Sequence, residues 1–219
     1  GNASLLAASN NRWDENADIS LGSEDGYLRL MGNKSRSDDY KDGNGDRVPS
    51  KWDKWNGDMA LGWTPDKDTL IELTAGKGDG ESRYAGRSMD GSQFRRESLG
   101  ARFEKSNIGE VFQKFEANVY YNYADHIMDN YSLRSPDGGM SGGMSMDMNM
   151  PMAMEVDRRT VGGRMMGTWE WADVELRSGA DTQLNTHRNK MDNSWVKDAR
   201  FHDYGLFSEL TWNTSDSSK

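Results

Sequence analysis

The alternation that decides the fold of this chain runs through Phe115-Glu116-Ala117-Asn118-Val119-Tyr120-Tyr121-Asn122-Tyr123. Because successive side chains of a strand point to opposite faces, this stretch places Ala117, Val119 and Tyr121 on one face and Asn118 and Asn122 on the other. The same period of two recurs along the chain, and helical periodicity does not. The sequence therefore predicts an all-β fold whose strands each have one wet face.

About nine strands follow from this alternation, and the connections between them alternate in length. The predicted strands cover residues 12–21, 26–38, 50–63, 69–83, 94–104, 111–133, 157–170, 174–187 and 201–213. Tight turns are expected at residues 22–25, 64–67, 106–109 and 172–173, and long polar loops at residues 39–49, 84–93, 134–156 and 188–200. An antiparallel meander with short periplasmic turns and long extracellular loops is typical of a transmembrane β-barrel. The alternative is an antiparallel sandwich, which also alternates but usually has shorter strands.

The number of strands predicts a fragment of a larger barrel. Natural single-chain bacterial barrels close on an even number of strands, and about nine is not one. Several predicted strands also exceed the ~9–11 residues that cross a membrane, so we expect them to project on the long-loop side. The chain begins at Gly1 and ends in polar residues after a strand. We therefore expect both ends to be cut from a longer protein.

Composition narrows the function classes. Hydrophobic residues make up only 34% of the chain, a low fraction that would be compatible with disorder. The eight Trp, eight Tyr and six Phe argue against disorder. The net charge of -9 argues against nucleic acid as a partner. The absence of cysteine removes disulfides and thiol chemistry. No Ser/His/Asp constellation, Gly-x-Ser-x-Gly elbow or metal-hydrolase motif is present, so the sequence does not indicate an enzyme.

A cluster of methionines lies in the predicted loop 134–156. Seven of the fourteen methionines fall there: Met140, Met144, Met146, Met148, Met150, Met152 and Met154. Thioether sulfur is soft and uncharged, so such an array favours Cu(I) or Ag(I) over Zn, Mg or Ca. The ordinary alternative is a low-complexity loop, or an adaptable apolar surface for a partner.

A second candidate lies on the strand that leads into this loop. His126 and Met128 continue the face of Asn118 and Asn122, so both are expected to face the barrel lumen. They are about 7 Å apart along the strand, and both side chains are ligands that copper accepts. A lone His-x-Met pair is more often a wet-face histidine beside a packing methionine. The adjacent methionine cluster is what favours a metal site here.

The sequence resembles the TonB-dependent outer-membrane copper receptors. The residues that carry the resemblance are Tyr120-Tyr121-Asn122-Tyr123-Ala124-Asp125-His126-Ile127-Met128-Asp129-Asn130-Tyr131-Ser132-Leu133-Arg134, Ser88-Met89-Asp90-Gly91-Ser92-Gln93-Phe94, Ala60-Leu61-Gly62-Trp63-Thr64-Pro65-Asp66 and the methionine-rich loop. The resemblance implies a barrel of about 22 strands around an N-terminal plug. Residues 1–219 would then be part of that barrel domain, without the plug.

The resemblance also implies a copper site between barrel and plug. His126 and Met128 correspond to the His-x-Met of the barrel, and Met89 to a further barrel methionine. The plug would supply a Cys-x-x-x-Met pair, which this chain lacks. The implied cargo is a copper ion, with Cu(I) favoured over Cu(II). The implied partners are outer-membrane lipid and the TonB energy-transducing complex, the latter acting through the plug, in the outer membrane of a Gram-negative cell.

Three functions stay open besides copper import. A passive channel or structural barrel would use the methionine-rich loop only to sequester soft metal. A soluble periplasmic methionine-rich copper carrier would need no barrel, and an enzyme on a barrel scaffold would need a constellation that the sequence does not show. His187 and His202 flank the predicted loop 188–200 without a partner at ligand spacing, so we expect both to be surface histidines.

Overall fold

A computed structural model describes residues 1–134 and 150–214 of the chain. These residues form a ten-stranded antiparallel sheet and a separate two-stranded one. The strands are β1 (Asn2–Ala8), β2 (Arg12–Ser23), β3 (Gly26–Ser37), β4 (Tyr40–Lys41), β5 (Arg47–Val48), β6 (Trp52–Asp66), β7 (Thr69–Ser82), β8 (Asp90–Ser106), β9 (Phe112–Asp129), β10 (Ala153–Trp171), β11 (Val174–Met191) and β12 (Ser194–Trp212).

The large sheet is a meander in which each strand pairs with its neighbours along the chain. Its order is β1-β2-β3-β6-β7-β8-β9-β10-β11-β12, and the small β4-β5 hairpin lies within the connection from β3 to β6. The predicted all-β antiparallel meander is confirmed. The sheet has ten strands, one more than the approximately nine expected from the sequence, because residues 2–8 pair with β2 as an edge strand.

Connections at the two ends of the strands differ in length. At one end, which we call the turn end, neighbouring strands are joined by residues 24–25, 67–68, 107–111 and 172–173. At the other, the loop end, residues 38–51, 83–89 and 130–152 form the long connections. The predicted loop 84–93 is therefore too long, because β8 already begins at Asp90. The predicted loop 134–156 is placed four residues too late in the chain, because β9 ends at Asp129 and β10 begins at Ala153.

The predicted loop 188–200 is wrong, because β11 and β12 continue through it. β11 ends at Met191 and β12 begins at Ser194. Asp192 and Asn193 make the connection, with φ angles of 48° and 63°. Two consecutive left-handed residues are the signature of a type I′ hairpin turn, which Asn and Asp tolerate better than most side chains.

One face of the sheet, the outer face, carries an apolar band. A single row in register across the strands consists of Ile19, Leu30, Met59, Ala75, Leu99, Tyr121, Val161 and Leu184. Leu99 and Val119 remain 60% and 61% exposed. In the described part of the chain, Ala60 is the single buried hydrophobic residue. The sheet therefore has no core of its own and needs an apolar medium against this band.

The opposite, inner face is polar. Arg96 donates to both carboxylate oxygens of Asp58 across β7, and the hydroxyl of Tyr120 donates to Gln183 at 2.8 Å. Such pairs satisfy each other's hydrogen bonds while remaining open to water. The side of β9 predicted to be wet from its alternation is this inner face.

Beyond the apolar band, towards the loop end, the outer face becomes charged. β9 crosses the band with residues 115–121, and farther along the same face Asp125 lies opposite Asp157 of β10. Asp157 is fully buried and accepts hydrogen bonds from Arg188. The long strands therefore extend past the apolar band into a polar environment. Over residues 1–134 and 150–214, no helix combines the length and apolarity needed to cross a membrane.

Candidate metal site

The structure places the two residues of the His-x-Met pair at the loop end of β9, on the inner face. His126 lies between Phe94 of β8 and Val156 of β10, each directly opposite it in the register. Met128 lies between Gly91 of β8 and Met154 of β10. The donors thus stand in neighbouring rows of a three-stranded corner, which we call the β8–β10 corner. Its position beyond the apolar band places it towards the loop end of the sheet.

The imidazole of His126 has an unused donor position. Its Nε2 atom is buried and has no hydrogen-bond partner. The ring stacks on Phe94, with the centroids 4.5 Å apart and the planes at 27°. Burial lowers the pKa of His126 below its usual value. A neutral imidazole with a free nitrogen is the form that binds a metal ion.

Met154 is brought to this corner by the register of β10. We predicted it as part of an external loop, but it lies within β10, directly opposite Met128 and on the same face. Directly opposite side chains on neighbouring antiparallel strands have Cβ atoms roughly 4.5–5.5 Å apart. Met154 is still 56% exposed. Two thioethers and one imidazole are therefore presented together to the space in front of the inner face.

Met150 and Met152 lie at the neck of the methionine-rich loop. The side chain of Asn130 links the two ends of this loop. Its Nδ2 atom donates a hydrogen bond to the carbonyl of Met150 at 3.0 Å, and its Oδ1 atom accepts one from the backbone N–H of Met152 at 2.8 Å. The two methionine side chains are exposed. Met140, Met144, Met146 and Met148 lie outside the described residues.

Met89 lies in the connection that precedes β8, next to the fully buried Asp90. The guanidinium of Arg134 donates to Asp90 through Nε at 2.7 Å and to the carbonyl of Arg87 at 2.8 Å. Asp90 also accepts from the backbone of Tyr84. This clamp ties the segment that carries Met89 to the segment that follows β9. Because Gly91 pairs with Met128, the structure brings Met89 to the same end of the β8–β10 corner.

The other two histidines lie outside this corner, on β11 and β12, and each makes hydrogen bonds through its ring. Nδ1 of His187 is 2.6 Å from the carboxylate of Asp198. His202 contacts the hydroxyls of Thr182 and Tyr204 through its two nitrogens, at 3.1 and 2.9 Å. Both are partly exposed on β11 and β12, although the segment between them is strand and not the loop that we expected.

The donor set of the corner is soft. In the parts of the chain that the structure describes, no group of three or more His, Asp or Glu side chains is arranged to hold a metal ion. Oxygen-rich sites suit Mg²⁺ and Ca²⁺, whereas thioether and imidazole suit copper. Sequence reasoning missed Phe94 and the Asp90–Arg134 clamp, since neither has a chemical signature until the strands are in register.

Comparison with known proteins shows which protein family the chain belongs to. The sequence matches the family described as TonB dependent receptor-like, beta-barrel, over residues 32–218. The chain belongs to this family of TonB-dependent receptors, whose barrels lie in the outer membrane and transport substrates rather than catalyse reactions. A comparison with curated proteins finds no match.

Two solved structures are similar to the chain. The first is described as "Copper transporter OprC", with 58% sequence identity and a TM-score of 0.89 over 98% of this chain and 35% of that one. The chain therefore spans about a third of that protein. The second is the FrpB iron transporter from Neisseria meningitidis (F3-3 variant), with 13% identity and a TM-score of 0.52, over 96% of this chain and 44% of that one. That second likeness concerns the fold alone.

Proposed function

We propose that this chain is the barrel segment of an outer-membrane receptor that captures copper at the cell surface and imports it in a TonB-dependent manner. The observation that carries the proposal is the buried, unpartnered Nε2 of His126 on the same inner face as Met128 and Met154. The similarity to a copper transporter supports copper as the cargo. Membership of the TonB-dependent receptor family supports a location in the outer membrane and an interaction with an energy-transducing partner.

The ligand chemistry favours Cu(I). Thioether sulfur cannot be protonated at physiological pH and binds soft monovalent ions without adding charge, while a neutral imidazole serves Cu(I) and Cu(II) alike. We assign His126 and Met128 as barrel ligands and Met89 as a third, held near them by the Asp90–Arg134 clamp. Further ligands would come from a plug that packs against the inner face.

The methionine-rich loop would act before this site. Its methionines, from Met140 to Met154, are separated in sequence by small residues, polar residues and one proline, so we expect them to gather ions rather than to preorganise one geometry. A tethered array raises the local ion concentration and favours transfer to the nearby corner. Met154 is the member of the array that the register of β10 places against Met128.

Uptake by cells that carry the full-length receptor would test the proposal. At scarce copper, we expect cell-associated copper to depend both on the receptor and on an intact TonB complex. His126→Ala and Met128→Ala should each reduce this uptake, whereas His202→Ala should leave it unchanged because both nitrogens of His202 already have partners. Uptake that continues without TonB would instead indicate a passive channel with a sequestering loop.

A further inference from the structure

The ring of Phe94 forms one wall of the corner that holds His126. The two residues are direct cross-strand partners on the inner face, and their rings are stacked at 4.5 Å. On the other side of His126 the register places Val156. An aromatic face and a branched aliphatic side chain thus flank the imidazole, and neither offers a hydrogen bond to Nε2. This nitrogen therefore stays free of competing partners.

Two features of β8 allow Phe94 to occupy this position. The register of β8 against β9 shifts between Gly91 and Gln93, as in a β-bulge. Bulges re-aim side chains and are common beside functional sites. The ring of Phe94 lies over Gly91, where an added Cβ would collide with it. Any larger residue at position 91 would thus push the ring away from its place beside His126.

Imidazoles that bind metal are commonly oriented by an outer partner, most often an oxygen that accepts the proton of the second ring nitrogen. At the β8–β10 corner, the contact that fixes the ring plane is the stack on Phe94. A flat face restricts the rotation of the imidazole about its χ2 angle, which is broad in the absence of such a contact. Orienting the ring before the ion arrives reduces the entropy cost of binding.

We propose that Phe94 is a positioning residue, which holds the His126 imidazole with Nε2 available to a soft ion, and that Gly91 provides the space for its ring. This inference rests on the proposed function, because it assumes that His126 is a ligand. It adds two residues without donor atoms to the site. Phe94 acts through His126 and does not touch the ion.

The test uses Ag(I), a redox-inert ion of the same charge and softness as Cu(I), and the purified full-length receptor. Affinity is measured by competition with a chelator of known silver affinity. Phe94→Leu, which keeps an apolar side chain but removes the flat face, should weaken Ag(I) binding about tenfold. Phe94→Tyr should restore the affinity to within about twofold, because its ring can stack in the same way.

The control variant is Phe207→Leu. Phe207 is another aromatic residue of the inner face, where the guanidinium of Arg164 lies 4.1 Å from its ring. A similar loss of packing there should leave Ag(I) affinity unchanged. Heat-modifiable electrophoretic mobility reports whether each variant barrel is folded. If Phe94→Leu does not fold, Gly91→Ala carries the test, because it displaces the same ring.

A double-mutant cycle separates positioning from general disruption. Gly91→Ala should weaken binding in the wild-type background and have little further effect in the Phe94→Leu background, because the ring that it displaces is already gone. Additive effects would show that position 91 acts through Met128, its direct neighbour on β9, and would overturn the role of Gly91.

The outcomes also separate this inference from the proposed function. If His126→Ala itself leaves Ag(I) affinity unchanged, the assigned metal site is wrong. If His126→Ala weakens binding but Phe94→Leu matches the wild type, the metal site stands and the positioning role of Phe94 is wrong.

Discussion

Two regions of the sheet carry histidines, and they differ in what the imidazole can still bind. In the β8–β10 corner, His126 is stacked on Phe94 and its Nε2 is buried without a partner. On the β11–β12 hairpin, His202 also packs against an aromatic ring, that of Tyr204, with the centroids 4.1 Å apart. Both nitrogens of His202 are nevertheless hydrogen-bonded. The comparison shows that an available ring nitrogen, and not a histidine or a ring stack by itself, distinguishes the candidate ligand.

Replacing each histidine in turn is the most direct test of whether His126 differs from the other two as a metal ligand. His126→Ala in the full-length receptor should lower Ag(I) affinity by more than about a hundredfold, because the ion loses a direct imidazole ligand. His187→Ala and His202→Ala should change it by less than about twofold. Competition with a silver chelator measures all three. Equal losses in the three variants would refute the distinction between the two regions.

The two regions should also differ in how much an aspartate contributes to local stability. Asp90 is fully buried and paired with Arg134, so Asp90→Asn breaks a buried ion pair and should cost roughly 3 kcal/mol. Asp198, paired with His187 on the hairpin, is partly exposed, and Asp198→Asn should have little effect on stability. Hydrogen exchange of residues 83–90 and 129–134 would report the loss. Unchanged protection in Asp90→Asn would show that the clamp does not hold Met89.

A smaller effect is expected from the methionine that the register brings to the corner. Met154→Leu keeps the size and apolarity of the side chain but removes the thioether, and should weaken Ag(I) binding by less than about tenfold. Met191→Leu at the tip of β11 is the matched control, since Met191 is equally exposed but lies on the hairpin. A complete loss of bound silver in Met154→Leu would make Met154 part of the final site and not of the capture loop.

The smallest effects are expected from cysteines that only report the surroundings of a strand. Val119→Cys lies in the apolar band and should resist a membrane-impermeant thiol reagent, whereas Asn122→Cys on the inner face should react with it. Arg159→Cys lies on the outer face beyond the band and should also react. Labelling of Val119→Cys but not of Asn122→Cys would reverse the two faces, and with them the position of His126.

Alternation was sufficient to predict the parts of the sheet that cross the apolar band. Phe115 to Tyr123 alternate in sequence because one face meets an apolar medium and the other meets water. Past the band this contrast disappears, since Asp125, Asp157 and Arg188 lie on the outer face while the inner face is polar as well. The sequence there shows no alternation of apolar and polar residues, which is why the prediction of a loop at residues 188–200 is wrong. The dipeptide Asp192-Asn193 was the remaining signal for a hairpin turn.

Some of the candidate site residues could likewise be predicted from the sequence, and others could not. His126 and Met128 could be predicted to share a face, because residues two apart on one strand always do. Met154 could not be placed with them, since its partner across the strand depends on where a connection of more than twenty residues returns to the sheet. Phe94 could not be predicted either, because a bulge at residues 91–93 shifts the register that a regular strand would have.

By itself, the sequence determined the class of fold, the wet and apolar faces of the strands, and the presence of soft ligands beside one of them. These are properties of neighbouring residues, and a period of two or a cluster of methionines records them directly. Tertiary structure alone decided which side chains meet: Met154 with Met128, Phe94 with His126, and Arg134 with Asp90. These pairs are far apart in the chain, and only the register between strands brings them together.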